Sequence, residues 1–171
     1  LIERHAGAIE DKNLFKKVRC GFLKLRPLLT EQLIASKSGS VYVVPCFSGT
    51  GDLTKSVVPE KLGLTGTITK KKNQIIYYSE PVGNHPQIAN RMCELVENTL
   101  YTSKSPKDDT TLIVIGHGSV HNSQSEKDTR SIAERIGLLE FSSKVITLFL
   151  DQAPNLANWS ALCETNNVVV I

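Results

Sequence analysis

The residues best suited to chemistry in this sequence stand in two loops. In "TLIVIGHGSVHNSQSE", residues 111–126, a short apolar run passes straight into Gly116-His117-Gly118-Ser119, which sets an imidazole between two residues too small to shield it. Imidazole titrates near neutrality and ligates borderline metals, so His117 can serve as a metal ligand or a general base. The plain alternative is a turn residue whose ring bonds to backbone. In "SGTGDLT", residues 48–54, Ser48, Gly49, Gly51 and Asp52 follow the apolar run "VYVVPCF". Asp52 can offer a hard oxygen ligand, or it can act as the N-cap of the helix that follows. Glycines at 49, 51, 116 and 118 let backbone come close to a ligand. The other histidines carry less. His121 is expected in solvent, His5 on the surface of a first helix, and Asn84 or His85 at the cap of the helix opened by Pro86.

Several chemistries are missing from the pattern. There is no H-E-x-x-H or C-x-x-C zinc motif, no G-x-S-x-G nucleophile elbow, no phosphate loop and no G-x-G-x-x-G after a strand. Cys20, Cys46, Cys93 and Cys163 are far apart, and three lie among apolar residues, which favours reduced, mostly buried thiols over disulfides, zinc or an iron–sulfur cluster. The chain of 171 residues is 40% hydrophobic and 22% charged, the composition of a globular α/β protein rather than a disordered one. Its net charge of +3 is only mildly basic, and aromatics make up 6%. Lys70-Lys71-Lys72 therefore reads as a hairpin tip rather than a nucleic-acid patch. No apolar run approaches a membrane span, and "LIERHAGAIEDK" lacks a signal peptide's apolar core, so a cytoplasmic location and no membrane partner are expected.

The elements that must position these loops alternate. Helical spacing over residues 1–14 precedes a strand in "VRCGFLKL", a helix in "RPLLTEQLIAS" and a strand in "SVYVVPCF" whose continuous apolarity suits burial on both faces. "LTKSVVPEKLGL" predicts a helix interrupted or ended near Pro59, with Gly63 as its stop. A short strand, a lysine-bearing turn and a longer strand span "TGTITKKKNQIIYYSEPVG", and "HPQIANRMCELVENTL" is an amphipathic helix. The polar stretch 102–110 is the linker candidate. Beyond it the pattern predicts strand 111–116, helix 123–137 with a Ser123/Glu126 capping box and Gly137 at its end, strand 145–150, helix 155–164 and strand 167–171. Strands alternating with helices imply a mainly parallel sheet, with ligands outside the strands' carboxyl ends.

A repeat runs through this alternation. A shift of 127 positions lays Val18 on Val145, Phe22-Leu23 on Phe149-Leu150, Pro27 on Pro154 and Leu29 on Leu156, and "VYVV" at 41–44 then falls on "VVVI" at 168–171. Generic strand-helix-strand units share apolar patterns, but the ungapped register favours duplication. On that reading, residues 1–101 form a first lobe lacking its opening strand and histidine loop, and 111–171 begin a second lobe lacking its C-terminal part.

The segment "TLIVIGHGSVHNSQSEKDTRSIAERI" resembles the opening strand, histidine loop and first helix of the sirohydrochlorin cobalto-/ferrochelatases, the class II chelatases of cobalamin and siroheme synthesis. "VYVVPCFSGTGDLTKSVVPEKLGL" is similar to that family's third strand, Ser/Gly loop and helix, and "YYSEPVGNHPQIANRMCEL" to its Glu-Pro-x-Gly-x-His-Pro segment. The resemblance implies a three-layer αβα fold with mainly parallel sheets, in chelatase-like lobes in tandem. It also implies insertion of Co2+, Fe2+ or Ni2+ as substrate into an anionic tetrapyrrole, with no permanently bound cofactor and no nucleic-acid partner. A homo-oligomer or further segments of the same protein would complete the cleft. His117 matches the family histidine that binds the incoming metal and accepts pyrrole protons. Asp52 stands where a second family histidine is usual and would be the other metal ligand. Gly118, Ser119, Ser48, Gly49, Gly51 and Lys55 would contact the carboxylate-rich substrate. Asp52 in place of histidine makes a non-catalytic metal or tetrapyrrole carrier the alternative. A flavodoxin-like binding domain with an inert Gly-His-Gly turn is a third reading.

Overall fold

A computed structural model of the chain describes residues 2–37, 39–119, 123–140 and 142–171. The fold is α/β with mainly parallel sheets, and it divides into two compact units: residues 1–47 with 52–82, and residues 48–51 with 83–171.

The first unit holds α1 (Ile2–Glu10), α2 (Leu29–Ala35), β1 (Gly39–Val43), α3 (Val58–Leu62), β2 (Ile68–Lys71) and β3 (Gln74–Tyr78). Its sheet has the order β1-β3-β2, with β1 parallel to β3 (Val41 opposite Ile76) and β2 antiparallel to it. Ile76, Val58, Leu62 and Thr69 are buried here. The lysine run lies at the end of a hairpin: Lys70 and Lys71 close β2, and Lys72 opens the turn that leads into β3. Lys71 Nζ donates to the Leu62 carbonyl at 2.8 Å, where α3 stops at Gly63 in the left-handed conformation (φ 60°). Ahead of α3, residues Leu53–Val57 wind as a wider π-helical turn. Pro59 has no N–H to offer the Lys55 carbonyl, and its ring would collide with it, so the wider turn relieves that conflict.

Two expectations fail in this unit. "VRCGFLKL" forms no strand: among the described residues its pairing is a single bridge from Phe22 to Leu28. A strand needs a neighbour to satisfy its backbone groups, and apolar alternation alone does not supply one. "SVYVVPCF" is not covered on both faces either. β1 stops at Val43 because Pro45 cannot continue the ladder, and Tyr42 and Val44 are exposed. Tyr42 stacks instead on its cross-strand neighbour Tyr77, with ring centroids 4.9 Å apart.

The second unit holds α4 (Gln87–Ser103), β4 (Thr110–Gly116), α5 (Ser123–Gly137), β5 (Lys144–Phe149), α6 (Trp159–Leu162) and β6 (Asn167–Val170). β4 is the middle strand of an all-parallel sheet, order β5-β4-β6, with Leu112 opposite Val145 and Val169, and Gly116 opposite Phe149. Its residues are buried on both faces, with only Ile115 half-buried, because it is the middle strand and has a neighbour on each side. Ala89, Cys93, Val96 and Leu100 line one face of α4 at helical spacing and pack with Ala133 and Ile136 of α5 against Leu112, Val114 and Val169. Each fully buried aliphatic side chain of this set contributes about 1.5–3 kcal/mol.

This packing moves a boundary. The units part between Val82 and Gly83 rather than in the polar stretch 102–110, because the apolar stripe of α4 belongs to the second core. The stretch itself is pinned: the Asp109 carboxylate accepts from Asn166 N–H at 3.1 Å and Asn166 Nδ2 at 2.8 Å. Of the cysteines only Cys93 is buried, and burial pushes its thiol up; Cys46 is exposed and Cys20 and Cys163 are half-buried, so mostly buried thiols is an expectation met at one position of four. Among the described residues no helix is long and apolar enough to cross a membrane.

Candidate functional site

β4 ends at Gly116, and the chain there runs too close to its neighbours for a side chain. A Cβ at Gly116 would come within 2.5 Å of Thr129 Oγ1 and 2.9 Å of Phe149 Cε1. At the strand ends Leu150 N–H donates to the Gly116 carbonyl at 3.2 Å, and just beyond them Asp151 N–H donates to the His117 carbonyl at 3.0 Å. The second of these bonds brings Asp151 beside His117. The imidazole Nε2 lies 3.1 Å from Asp151 Oδ2, with the ring 73% and the carboxylate 60% exposed. The ring is therefore not packed into the core, and among the described residues its partner is a carboxylate rather than the backbone group that a turn residue would take.

Gly118, at φ 75°, turns the chain, and Ser119 N–H then donates to Gln152 Oε1 at 2.7 Å. Gln152 Nε2 donates in turn to Glu126 Oε2 at 2.7 Å, and Arg130 Nε donates to Glu126 Oε1 at 2.7 Å. The Arg130 guanidinium sits 5.4 Å above the Phe149 ring centroid. Glu126 is thus engaged outward by Arg130 and Gln152 and does not close the expected capping box with Ser123, the residue at which α5 itself begins.

The Arg130 hydrogen bond first, and the Gln152 hydrogen bond second, hold the Glu126 carboxyl below its ordinary value of 4.5. Between the lowered folded value and the ordinary unfolded one, the unfolded chain binds more protons, so stability rises with pH there. The contribution is complete above the unfolded value and is lost as pH falls through the folded one. Glu126→Gln is expected to flatten the acid limb of stability, which urea unfolding at a series of pH values between roughly 2.5 and 6 would measure.

The Ser/Gly loop, residues 48–51, belongs to the same unit. Thr50 N–H donates to Asp128 Oδ2 of α5 at 2.6 Å, and Gln124 Nε2 donates to the other Asp128 oxygen at 2.8 Å. Asn84 Nδ2 donates to Thr50 Oγ1, while Asn84 Oδ1 is buried without a partner among the described residues. Gly49 faces Asp128, and Gly83 lies directly against the Ser48 backbone. Ser48 is exposed. Within the second unit, then, α5 receives both the histidine loop, through Glu126 and Gln152, and the Ser/Gly loop, through Asp128.

Asp52 and Lys55 belong to the first unit, both exposed, at the start of the Leu53–Val57 turn. Asp52 occupies the N-cap position but makes no side-chain capping bond. His85 takes a capping role, its Nδ1 accepting from Gln87 N–H at 3.3 Å, and His5 is exposed on α1. His121 lies outside the described residues. Among those described, no three His, Cys, Asp or Glu side chains cluster as a ready metal cage. Sequence reading missed Asp151, Gln152 and Asp128. The available signal was position: "FLDQAP" places Asp151 and Gln152 just past a strand's carboxyl end, where loops of a parallel sheet converge.

A family model described as CbiX matches residues 1–99. A probable sirohydrochlorin cobaltochelatase of Halobacterium salinarum is 28% identical over 98% of the chain, and the chain spans 63% of that relative's length. Among solved structures, a multi-domain protein of Deinococcus radiodurans with structural similarity to chelatases superposes with a TM-score of 0.80 at 21% identity, covering 99% of this chain and 38% of that one. SirB from Bacillus subtilis, solved with Fe3+, gives 0.78 at 17% identity over 99% and 68%, and CbiX, the terminal enzyme of siroheme biosynthesis in denitrifying bacteria, gives 0.69 at 23% over 90% and 62%. At these identities the structural likenesses establish the fold.

Proposed function

Since the chain belongs to the CbiX family, we propose that it acts in metal insertion, placing a divalent ion, Co2+ or Fe2+, into a sirohydrochlorin-type tetrapyrrole. The observation that carries this reading is the exposed imidazole of His117 held 3.1 Å from the Asp151 carboxylate at the carboxyl end of a parallel sheet. Metallation replaces two pyrrole protons by one dication, and it needs a base for the protons and a ligand to draw the ion out of water. His117 supplies a nitrogen suited to either step. Asp151 adds an oxygen donor and steadies the imidazolium that forms when the ring takes a proton. Gly118 and Ser119, with Ser48, Gly49 and Gly51, offer close backbone approach and hydroxyls to the substrate's carboxylates. In the first unit, Asp52 offers an exposed carboxylate and Lys55 an exposed cation, each open to a ligand.

We also read the shift of 127 positions as a duplication into tandem lobes. In support, the bridge from Phe22 to Leu28 has a counterpart from Phe149 to Asn155, and Phe22 N–H donates to the Pro27 carbonyl at 2.9 Å as Phe149 N–H does to that of Pro154 at 3.0 Å.

The test is spectroscopic metallation of sirohydrochlorin by the full-length protein with Co2+ or Fe2+, against the uncatalysed rate. Asp52 in place of the family histidine favours a second reading, a carrier that binds tetrapyrrole or metal without turnover; tight binding with no rate enhancement would select it. Asp151→Asn is expected to weaken Co2+ binding roughly tenfold, measured by titration calorimetry, because the carboxylate's charge and its hold on the ring are both lost.

A further inference from the structure

We propose that Gln152 is the positioning residue of the histidine loop, orienting the His117–Asp151 pair through Ser119 and Glu126. The inference rests on the chelatase reading and extends it to a side chain that touches neither metal nor substrate. The His117 ring is largely in solvent and is flanked by two glycines, so packing does not hold it. The hold comes from Asp151 and Gln152, the second and third residues after β5. Asp151 N–H bonds the His117 carbonyl at 3.0 Å, before the Gly118 turn, and Gln152 Oε1 accepts from Ser119 N–H at 2.7 Å, after it. The turn is thereby fixed on both sides by consecutive residues of one strand end.

The carboxamide is suited to this place because its two ends have opposite duties. Its oxygen must accept from a backbone N–H, and its nitrogen must donate to the Glu126 carboxylate at 2.7 Å. Glu126 is anchored by Arg130, and Arg130 lies over Phe149, whose ring edge would meet any side chain at Gly116. The contacts close a circuit from β5 through the loop to α5 and back to β5. Gly118 has no room for a larger residue beneath this bridge, since a Cβ there would come 2.7 Å from Gln152 Cγ. The repeat shows the device to be particular to this unit: the shift of 127 positions lays Asp151 on Lys24 and Gln152 on Leu25, so the first unit carries neither residue.

The experiment uses the full-length chain with Co2+ alone as probe, read by titration calorimetry and by the d–d absorption of the bound ion. Gln152→Leu is expected to raise the Kd for Co2+ about tenfold and to alter the d–d spectrum, while the thermal midpoint stays within about 4 °C of wild type. Gln152→Glu sets two carboxylates together and is expected to weaken binding as much. In Glu126→Gln/Gln152→Glu the donor and acceptor are exchanged but every hydrogen bond can be remade, so affinity is expected to return to within about twofold of wild type. Wild-type affinity and spectrum in Gln152→Leu, or a double variant no better than Gln152→Glu, would overturn the positioning role alone. A wild-type chain that takes up no Co2+ would overturn the chelatase reading and this role with it.

Discussion

Replacing His117 by alanine is expected to slow metal insertion by at least about a hundredfold, the lower end of what a positioned general base contributes and equivalent to about 2.7 kcal/mol of barrier. The loss should come without unfolding. The side chain is 73% exposed, so truncation removes little packing, and exposed substitutions of this kind usually change stability by less than about 0.5 kcal/mol. Two measurements therefore belong together: the metallation rate with sirohydrochlorin, and the thermal midpoint. A large rate loss at constant midpoint is the expected pair. Equal rates in the variant and the wild type would remove His117 from the chemistry and leave the Gly-His-Gly segment as a turn. His5→Ala, on the exposed surface of α1, is the control and should leave the rate as it is.

Gly83→Ala is expected to be the most damaging small substitution in the second unit. A Cβ at Gly83 would lie 1.9 Å from the Ser48 carbonyl oxygen and 2.2 Å from its carbon, and these are backbone atoms that cannot rotate aside. Overpacking against flexible side chains costs about 1–3 kcal/mol, and a backbone collision belongs at or above the top of that range. About 3 kcal/mol lowers the thermal midpoint of a chain this size by about 6–12 °C. The displacement should be felt first at Thr50, whose N–H is held by Asp128 at 2.6 Å and whose hydroxyl accepts from Asn84. Faster amide exchange at Thr50 would report it. Gly51→Ala in the same loop meets nothing within 4 Å and is expected to keep the wild-type midpoint, which separates collision from general intolerance of the loop. A Gly83→Ala chain as stable as wild type would show that the Ser48 backbone can shift freely and that the loop is not anchored there.

Much of the architecture is legible along the chain because burial leaves a local period. Ala89, Cys93, Val96 and Leu100 recur at helical spacing and announce α4, while the unbroken apolar run at 112–115 announces a strand. Gly63 and Gly137 mark the helix ends where they are found. The same reasoning errs where an element depends on a neighbour. "VRCGFLKL" has the pattern of a strand, and its counterpart β5 is one, but β5 pairs along its length with β4 while residues 18–25 have only the Phe22–Leu28 bridge. Apolar alternation states a preference, and the ladder realises it.

The site divides in the same way. Sequence by itself determined the alternation of strands and helices, the shift of 127 positions, and an unshielded histidine between glycines at the carboxyl end of a strand, since each is written in consecutive residues. Only the tertiary structure decided that Asp151 stands beside that histidine, that Gln152 ties its loop to Glu126, and that α4 belongs to the second core. These pairings join residues far apart in the chain. They follow from which strands lie adjacent and in what register, with Gly116 opposite Phe149, and no local period of side chains records that choice.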